Sequence, residues 1–312
     1  MATPLTDKIN ALTAYANGVT GESDTTLSEA VHTLADGYGQ GWGDGERIPD
    51  DGKMHIWVDI PTGAGGSALN MPLRWTQTVS QGVEVDWGDK TGPVTYSGTG
   101  AANRFHKYAK GGKYEITLSL LHGEIAFDSS GATSSAWDGI YGSGGDIGYY
   151  WRNRIIGIYC PYEITTIDTR YFSSMANLRF LLFPNAKTTS LGQYCLYSLY
   201  TLDALDLGDL SGLTKIPFCA LYCAYSLTRI TVPENVTEIE EYAFAYCVAM
   251  KRITLKPKTP PSLANINAFG SIPSDCLIHV PYSSDGSIIN AYKTATNWRS
   301  YASRIVQEDP PT

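Results

Sequence analysis

The sequence predicts a modular, mostly β chain with some α: an N-terminal helical hairpin, then a β-sandwich, then a repeat solenoid closed by a capping helix. Three observations predict it. Residues 1–40 carry apolar stripes at 4-3-4 spacing, residues 54–128 alternate apolar and polar side chains between turn residues, and residues 154–312 repeat one apolar template. Two linkers are expected, at 41–53 and in the glycine-rich stretch 129–153. A chain of 312 residues has room for two or three domains. Its net charge of −8 argues against a nucleic-acid partner, which needs a basic footprint. No apolar run approaches the roughly 20 residues of a membrane span, so no membrane partner is expected either. The 31 glycines and 21 tyrosines fit a turn-rich β protein with exposed aromatic contacts. The first residues lack a leader pattern and the last lack a sorting signal, so no secretion route of its own is expected.

The helices come first. Leu5, Ile9, Leu12, Ala16 and Val19 form one stripe, and Gly18 and Gly21 break it. Thr26 and Glu29 then form a capping box, after which Leu27, Val31, Leu34 and Tyr38 resume the stripe. Two narrow seams cannot enclose a core. They must pack on each other, on a second copy of the chain, or on a scaffold, which makes Leu5, Ile9, Leu12, Leu27, Val31 and Leu34 the candidate attachment or oligomerisation residues. This stretch resembles a short N-terminal module of tail and fibre proteins from phages of Gram-positive bacteria. The resemblance implies other virion proteins as partners and a virion location, on the tail or surface, extracellular on release.

The sandwich follows in the segments MHIWVDI, GVEVDWGD, KYEITLSLL and EIAFD. Val85, Trp87, Gly88, Asp89, His106, Tyr108, Gly112 and Tyr114 resemble the motif of a PKD-type Ig-like domain, with Lys90 standing where glycine is usual. Asp86 and Asp89 have the spacing of a calcium-binding turn but lack further oxygen ligands close in sequence. Asp89 is expected to cap its own turn, and His106 to be a packed, hydrogen-bonded strand residue.

In the solenoid, apolar residues recur at +5, +11, +14 and +16 from an anchor: Ile167 with Phe172, Leu178, Leu181 and Phe183, and likewise from Leu191, Ile216 and Ile239. Ile266 is read as the anchor of a fifth, degenerate copy, and anchors fall 23 to 27 residues apart. One copy cannot bury its apolar face, whereas stacked copies share a continuous core. The segments VTEIEEYAFAYCVAMKRITLKP and LTKIPFCALYCAYSLTRITVP resemble BspA-like leucine-rich repeats. In the tail, Ile289, Tyr292, Ala295, Trp298 and Tyr301 recur every third residue, as an amphipathic lid over the solenoid end.

Chemistry is hard to find. Glu238, Glu240 and Glu241 occupy slots that hold no carboxylate pair in the other copies, so they read as solvated charge rather than a general acid and base. Cys160, Cys195, Cys219, Cys223, Cys247 and Cys276 have no zinc spacing and read as buried thiols. No catalytic residue, metal or cofactor is expected, and the chain is read as non-enzymatic. Two surfaces remain. Tyr197 and Tyr200 hold the +6 and +9 slots of one copy, and Tyr222 and Tyr225 hold them in the next, so an aromatic patch is expected if these rings do not fill the interior. On the strands, the outward slots run from Phe180 and Leu182 to Arg229 and Arg252. These residues are the candidate contacts for a host cell-surface glycan or protein. The sequence therefore leads to a tail-associated virion protein, with a BspA-like bacterial surface adhesin and a structural capsid or tail decoration protein as alternatives.

Overall fold

The computed structural model describes residues 51–61, 70–126, 152–202 and 204–310. The helical hairpin expected over 1–40, with its attachment stripe, lies outside the described residues. The sandwich comprises β1 (Met54–Ile60), β2 (Asn70–Gln77), β3 (Val83–Asp86), β4 (Val94–Tyr96), β5 (Gly100–Lys107), β6 (Gly112–Leu120) and β7 (Ile125–Ala126). Strands β1, β6, β3 and β4 pair antiparallel in that order, and β5, β2 and β7 form the facing sheet. Alternation decides which side chains meet: Val83 and Val85 are buried, while Glu84 and Asp86 are only partly so. Trp75, Trp87, Met71, Tyr108 and Ile116 fill the space between the sheets.

The solenoid strands alternate between two sides of each coil. One side holds β8 (Ile155–Tyr159), β10 (Phe180–Leu182), β12 (Ala204–Asp206), β14 (Arg229–Val232), β16 (Arg252–Leu255), β18 (Leu277–Val280) and β19 (Ile305–Gln307). The other holds two-residue strands: β9 (Thr166–Ile167), β11 (Ser190–Leu191), β13 (Lys215–Ile216), β15 (Glu238–Ile239) and β17 (Ser262–Leu263). Between the two, each coil makes a run of tight turns. There the N–H groups at +3, +5 and +7 donate to carbonyls of the next copy, as in Tyr194 N to Phe218 O, Leu196 N to Ala220 O and Ser198 N to Tyr222 O. The side chains of Phe172, Leu196, Leu221 and Phe244 point into the core at +5.

The sandwich and the solenoid share a sheet. The junction strand β8 pairs antiparallel with β1 and parallel with β10, so one seven-stranded sheet runs β12-β10-β8-β1-β6-β3-β4 from solenoid into sandwich. Side chains reinforce the seam. The Tyr171 hydroxyl donates to the Arg74 carbonyl at 2.7 Å, the Tyr162 hydroxyl donates to the Leu118 carbonyl at 2.6 Å, and Trp57 packs on Phe180. Gly157 allows this approach, because a Cβ there would fall 2.0 Å from the Phe180 ring. Residues 53–312 accordingly form one compact unit.

Two expectations need correction. The fifth copy is anchored by Leu263, which pairs with Ile239, whereas Ile266 is 49% exposed and starts a 3-10 turn. An extra residue then brings Phe269 under Phe244, stacked at 5.4 Å. The capping lid is not one helix: α1 (Ser287–Thr294) ends at Ala295, and Trp298–Tyr301 form a 3-10 turn. Spacing of three residues is the period of a 3-10 turn, not of an α-helix. The lid nonetheless buries Tyr292 and Trp298, whose polar tips donate to the Pro257 and Pro261 carbonyls.

Candidate functional site

The aspartate turn of the sandwich is structural. Asp86 accepts from Gly88 N at 2.9 Å, and Asp89 accepts from both the N–H and the hydroxyl of Thr91. His106 lies 2.7 Å from the other Asp89 oxygen and stacks on Trp87. Among the described residues, no group of three or more His, Cys, Asp or Glu is placed to hold a metal ion. All six cysteines are buried free thiols. Burial pushes the Cys160, Cys195 and Cys247 thiols up to about 12, which leaves them un-ionised and weakly nucleophilic at neutral pH.

The glutamates of the fourth copy serve the coil beside them. Lys215 bridges Glu238 at 3.3 Å and Glu240, and the second Glu240 oxygen accepts from Phe218 N at 2.6 Å. Glu241 accepts from the Asn267 amide instead.

The tyrosines lie on the turn side, outside the core. Tyr197 stacks on Tyr222 at 5.2 Å with 13° between planes, and Tyr200 stacks on Tyr225 at 4.9 Å with 18°. Consecutive coils repeat at about the spacing of paired strands, so equal slots bring equal rings into offset stacking. The patch is wider than the four rings expected. Tyr194 meets Tyr197 and Phe218 edge-on, and Tyr222 also meets Tyr242 and Tyr246. The Arg170 guanidinium sits 4.6 Å over Tyr194 at one end. Tyr200, Tyr225 and Tyr246 are 40%, 39% and 41% exposed, and Val248 beside them is 52% exposed. Phe218 and Tyr246 escaped the sequence reading because they occupy +2 and +7, slots with no aromatic counterpart in the second copy. The turn side also holds left-handed residues in regular slots: Tyr194, Cys219 and Tyr242 at +3, and Ser198, Cys223 and Tyr246 at +7, all have φ between 54° and 62°.

Stacking fixes what the patch offers. Each stacked pair covers one face of either ring with its partner. A hydrogen bond with Cys223 is the chief cause that raises the Tyr225 hydroxyl to about 12, so that ring stays neutral at any ordinary pH.

The strand side is less continuous than expected. Its sheet breaks between β12 and β14, because β14 begins a separate four-stranded sheet. Arg229 is exposed on that edge and lies in register with Arg252. Arg252 itself is committed: its guanidinium holds both Glu308 oxygens at 2.6 and 2.7 Å and ties down the segment after β19. Phe180 is packed against Trp57.

This geometry defines a repeat protein whose coil is a short strand, a tight-turn side and a second short strand. Residues 145–269 match the family model for the BspA type leucine rich repeat region, in six copies. The repeats within 145–269 thus form a BspA-type leucine-rich repeat region. No curated protein matches the chain. Among solved structures, the chain is similar to a leucine rich cell surface protein from Faecalibacterium prausnitzii, at 21% identity and a TM-score of 0.39. The likeness covers 56% of this chain and 39% of that one, so the chain spans about two fifths of that relative's length.

Proposed function

We propose that the chain is a non-catalytic recognition protein of a bacterial surface, which holds a protein partner against the tyrosine side of its second to fourth repeats. One observation carries the reading: a contiguous set of aromatic rings, three of them about 40% exposed, on the rigid turn side of a BspA-type solenoid. Aromatic side chains are over-represented among binding hot spots, and tyrosine loses little entropy on contact. A tyrosine joins an apolar ring to a polar hydroxyl, which suits the mixed polar and apolar surface of a polypeptide. The sandwich, on this reading, is a stiff PKD-type spacer fused to the repeats.

A virion placement is the second reading. It rests on the resemblance of residues 1–40 alone, while the repeat match favours a surface protein. Antibody labelling separates them: intact bacteria carry the chain on the first reading, purified phage particles on the second.

The binding test uses the full chain, immobilised and exposed to bacterial and host-cell surface protein fractions, with the captured partner then purified and titrated. Saturable binding to that partner is expected. Replacing Tyr200, Tyr225 and Tyr246 by serine should weaken it about 30-fold or more, the scale of a lost aromatic hot spot. Undiminished binding in a variant that melts like the parent would defeat the assignment of this face.

A further inference from the structure

We infer that the outer edge of β5 pairs with the same strand of a second copy of this chain, giving an antiparallel dimer joined through the sandwich. The surface is separate from the tyrosine side, and the pairing does not depend on it.

Length sets this edge apart. Among the described residues, the other strands that end a sheet are two to four residues long, whereas β5 runs for eight. Its register with β2 is unbroken from Asn70 opposite Lys107 to Gln77 opposite Gly100, so no bulge turns it away. Just beyond β2, the Thr78 N–H donates to the Glu124 carbonyl beside β7. Bonding direction alternates along a strand, so even-numbered residues of β2 face β7 and odd-numbered ones face β5. Ala102, Arg104 and His106, opposite odd-numbered residues, therefore bond to β2. Ala101, Asn103, Phe105 and Lys107 turn their N–H and C=O groups to the free edge. Pro72, which has no N–H, accordingly sits opposite Phe105, in a pair that exchanges no bond.

Side chains leave the same side uncovered. Phe105 is 48% exposed. Val94 on β4 pairs with the buried Val85 and so points into the space between the sheets, yet it is 44% exposed. That space is therefore open along β4, which only residues 97–99 separate from β5. Native edges are commonly protected by a proline, a bulge or an outward charge. Here the one outward charge is Lys107, at the end of the strand. Arg104 points inward, but it is already buried, donates to the Trp75 and Ala102 carbonyls and stacks on Trp75, so an added strand takes little water from it. A two-fold axis at Asn103 sets Ala101 opposite the partner's Phe105 and forms about six backbone bonds. Lys107 then lies beyond the paired stretch at either end, and no like charges are opposed. From Ala101 to Phe105 no outward charge calls for an oppositely charged strand, whereas the two-fold matches this edge to itself. A dimer would carry two tyrosine faces and hold a surface-bound partner with avidity.

The test is sedimentation equilibrium of the full chain across the micromolar range, with amide hydrogen exchange as a local readout. A monomer–dimer equilibrium is expected, and the amides of Ala101, Asn103 and Phe105 should exchange more slowly as the chain is concentrated. Phe105→Pro removes an N–H that the monomer does not use within the sheet, and Val94→Lys places a charge beside the new strand. Each should weaken the dimer at least tenfold. Phe105→Thr, which keeps the N–H and a strand-forming side chain, should weaken it less than Phe105→Pro and guards against misfolding of the proline variant. The Tyr200, Tyr225 and Tyr246 serine variant should dimerise as the parent does. A chain that stays monomeric at every concentration leaves the edge to water or to another protein's strand and overturns the proposal. So does a dimer that survives both Phe105→Pro and Val94→Lys, or one lost in the tyrosine variant alone, which would place self-association on the other face.

Discussion

Lys90 shows how a single residue departs from the pattern around it. It adopts φ of 67°, a left-handed conformation that costs an L side chain about 1 kcal/mol and glycine almost nothing. The turn forms regardless, because Asp89 and its partners hold it. Lys90→Gly should therefore raise stability by up to about 1 kcal/mol, seen as a higher urea midpoint at constant slope. Gly88 beside it is a different case, since a Cβ there would sit 2.3 Å from the Glu115 carbonyl. For Asp89, burial alone would raise the carboxyl pKa, but hydrogen bonds from Thr91 and His106 outweigh it and leave the group below its ordinary value. A depressed folded pKa stabilises above the unfolded value of about 3.9 and ceases to do so as pH falls through the folded one. Asp89→Asn should cost about 1 kcal/mol at pH 7 and progressively less below pH 4, measured by urea unfolding across that range. An equal cost at pH 7 and pH 2.5 would contradict this. Trp87, Asp89, His106 and Tyr108 stood out as a group in the sequence only through their resemblance to a family motif. The bond from the Tyr108 hydroxyl to the Trp87 carbonyl, 2.8 Å long, was not legible there, because it joins residues 21 apart through the fold.

Among the elements, the repeat was legible wherever one side chain must enter the core of every coil. Phe244 is such a residue, 1% exposed and stacked on Phe269. Phe244→Ala should cost about 3–5 kcal/mol, with Ile253→Val at about 1 kcal/mol as the graded control, both from thermal or urea unfolding. The turn side was harder to read. Its left-handed slots hold Arg, Ser, Tyr and Cys, not Gly, so no glycine marks them. The fifth anchor was misplaced for a related reason: Ile266 is apolar and well spaced, yet Leu263 pairs with Ile239, and an added residue throws the following chain into a 3-10 turn. The tyrosine slots were visible in the sequence. Whether they faced inward or outward depended on how tightly the coil turns, which side-chain pattern does not encode.

For the molecule as a whole, the seam between sandwich and solenoid matters most. Because β8 lies between β1 and β10, cutting the chain at 153/154 would leave one edge of each half exposed. Residues 53–312 should unfold in one cooperative transition, with calorimetric and van 't Hoff enthalpies equal. The separate 154–312 fragment should melt lower or aggregate. Two well-resolved transitions in 53–312, with the fragment matching one of them, would show that the two modules are independent. A rigid seam also means that the tyrosine side is held at a fixed orientation to the sandwich.

The sequence by itself determined that a sandwich precedes the repeats, the inward-facing template of the repeats, and the burial of the cysteines. Each of these follows from local periodicity, in which the same residue type must answer the same environment every coil. Only the tertiary structure decided that the sheet continues through both modules, that Arg252 is committed to Glu308, and that the tyrosines of neighbouring coils stack on each other. It also decided that Pro217 leaves Leu191 without the anchor hydrogen bond made at the other junctions. A missing N–H matters only when the carbonyl it would have met lies on a neighbouring coil, and that pairing exists only once the chain has folded.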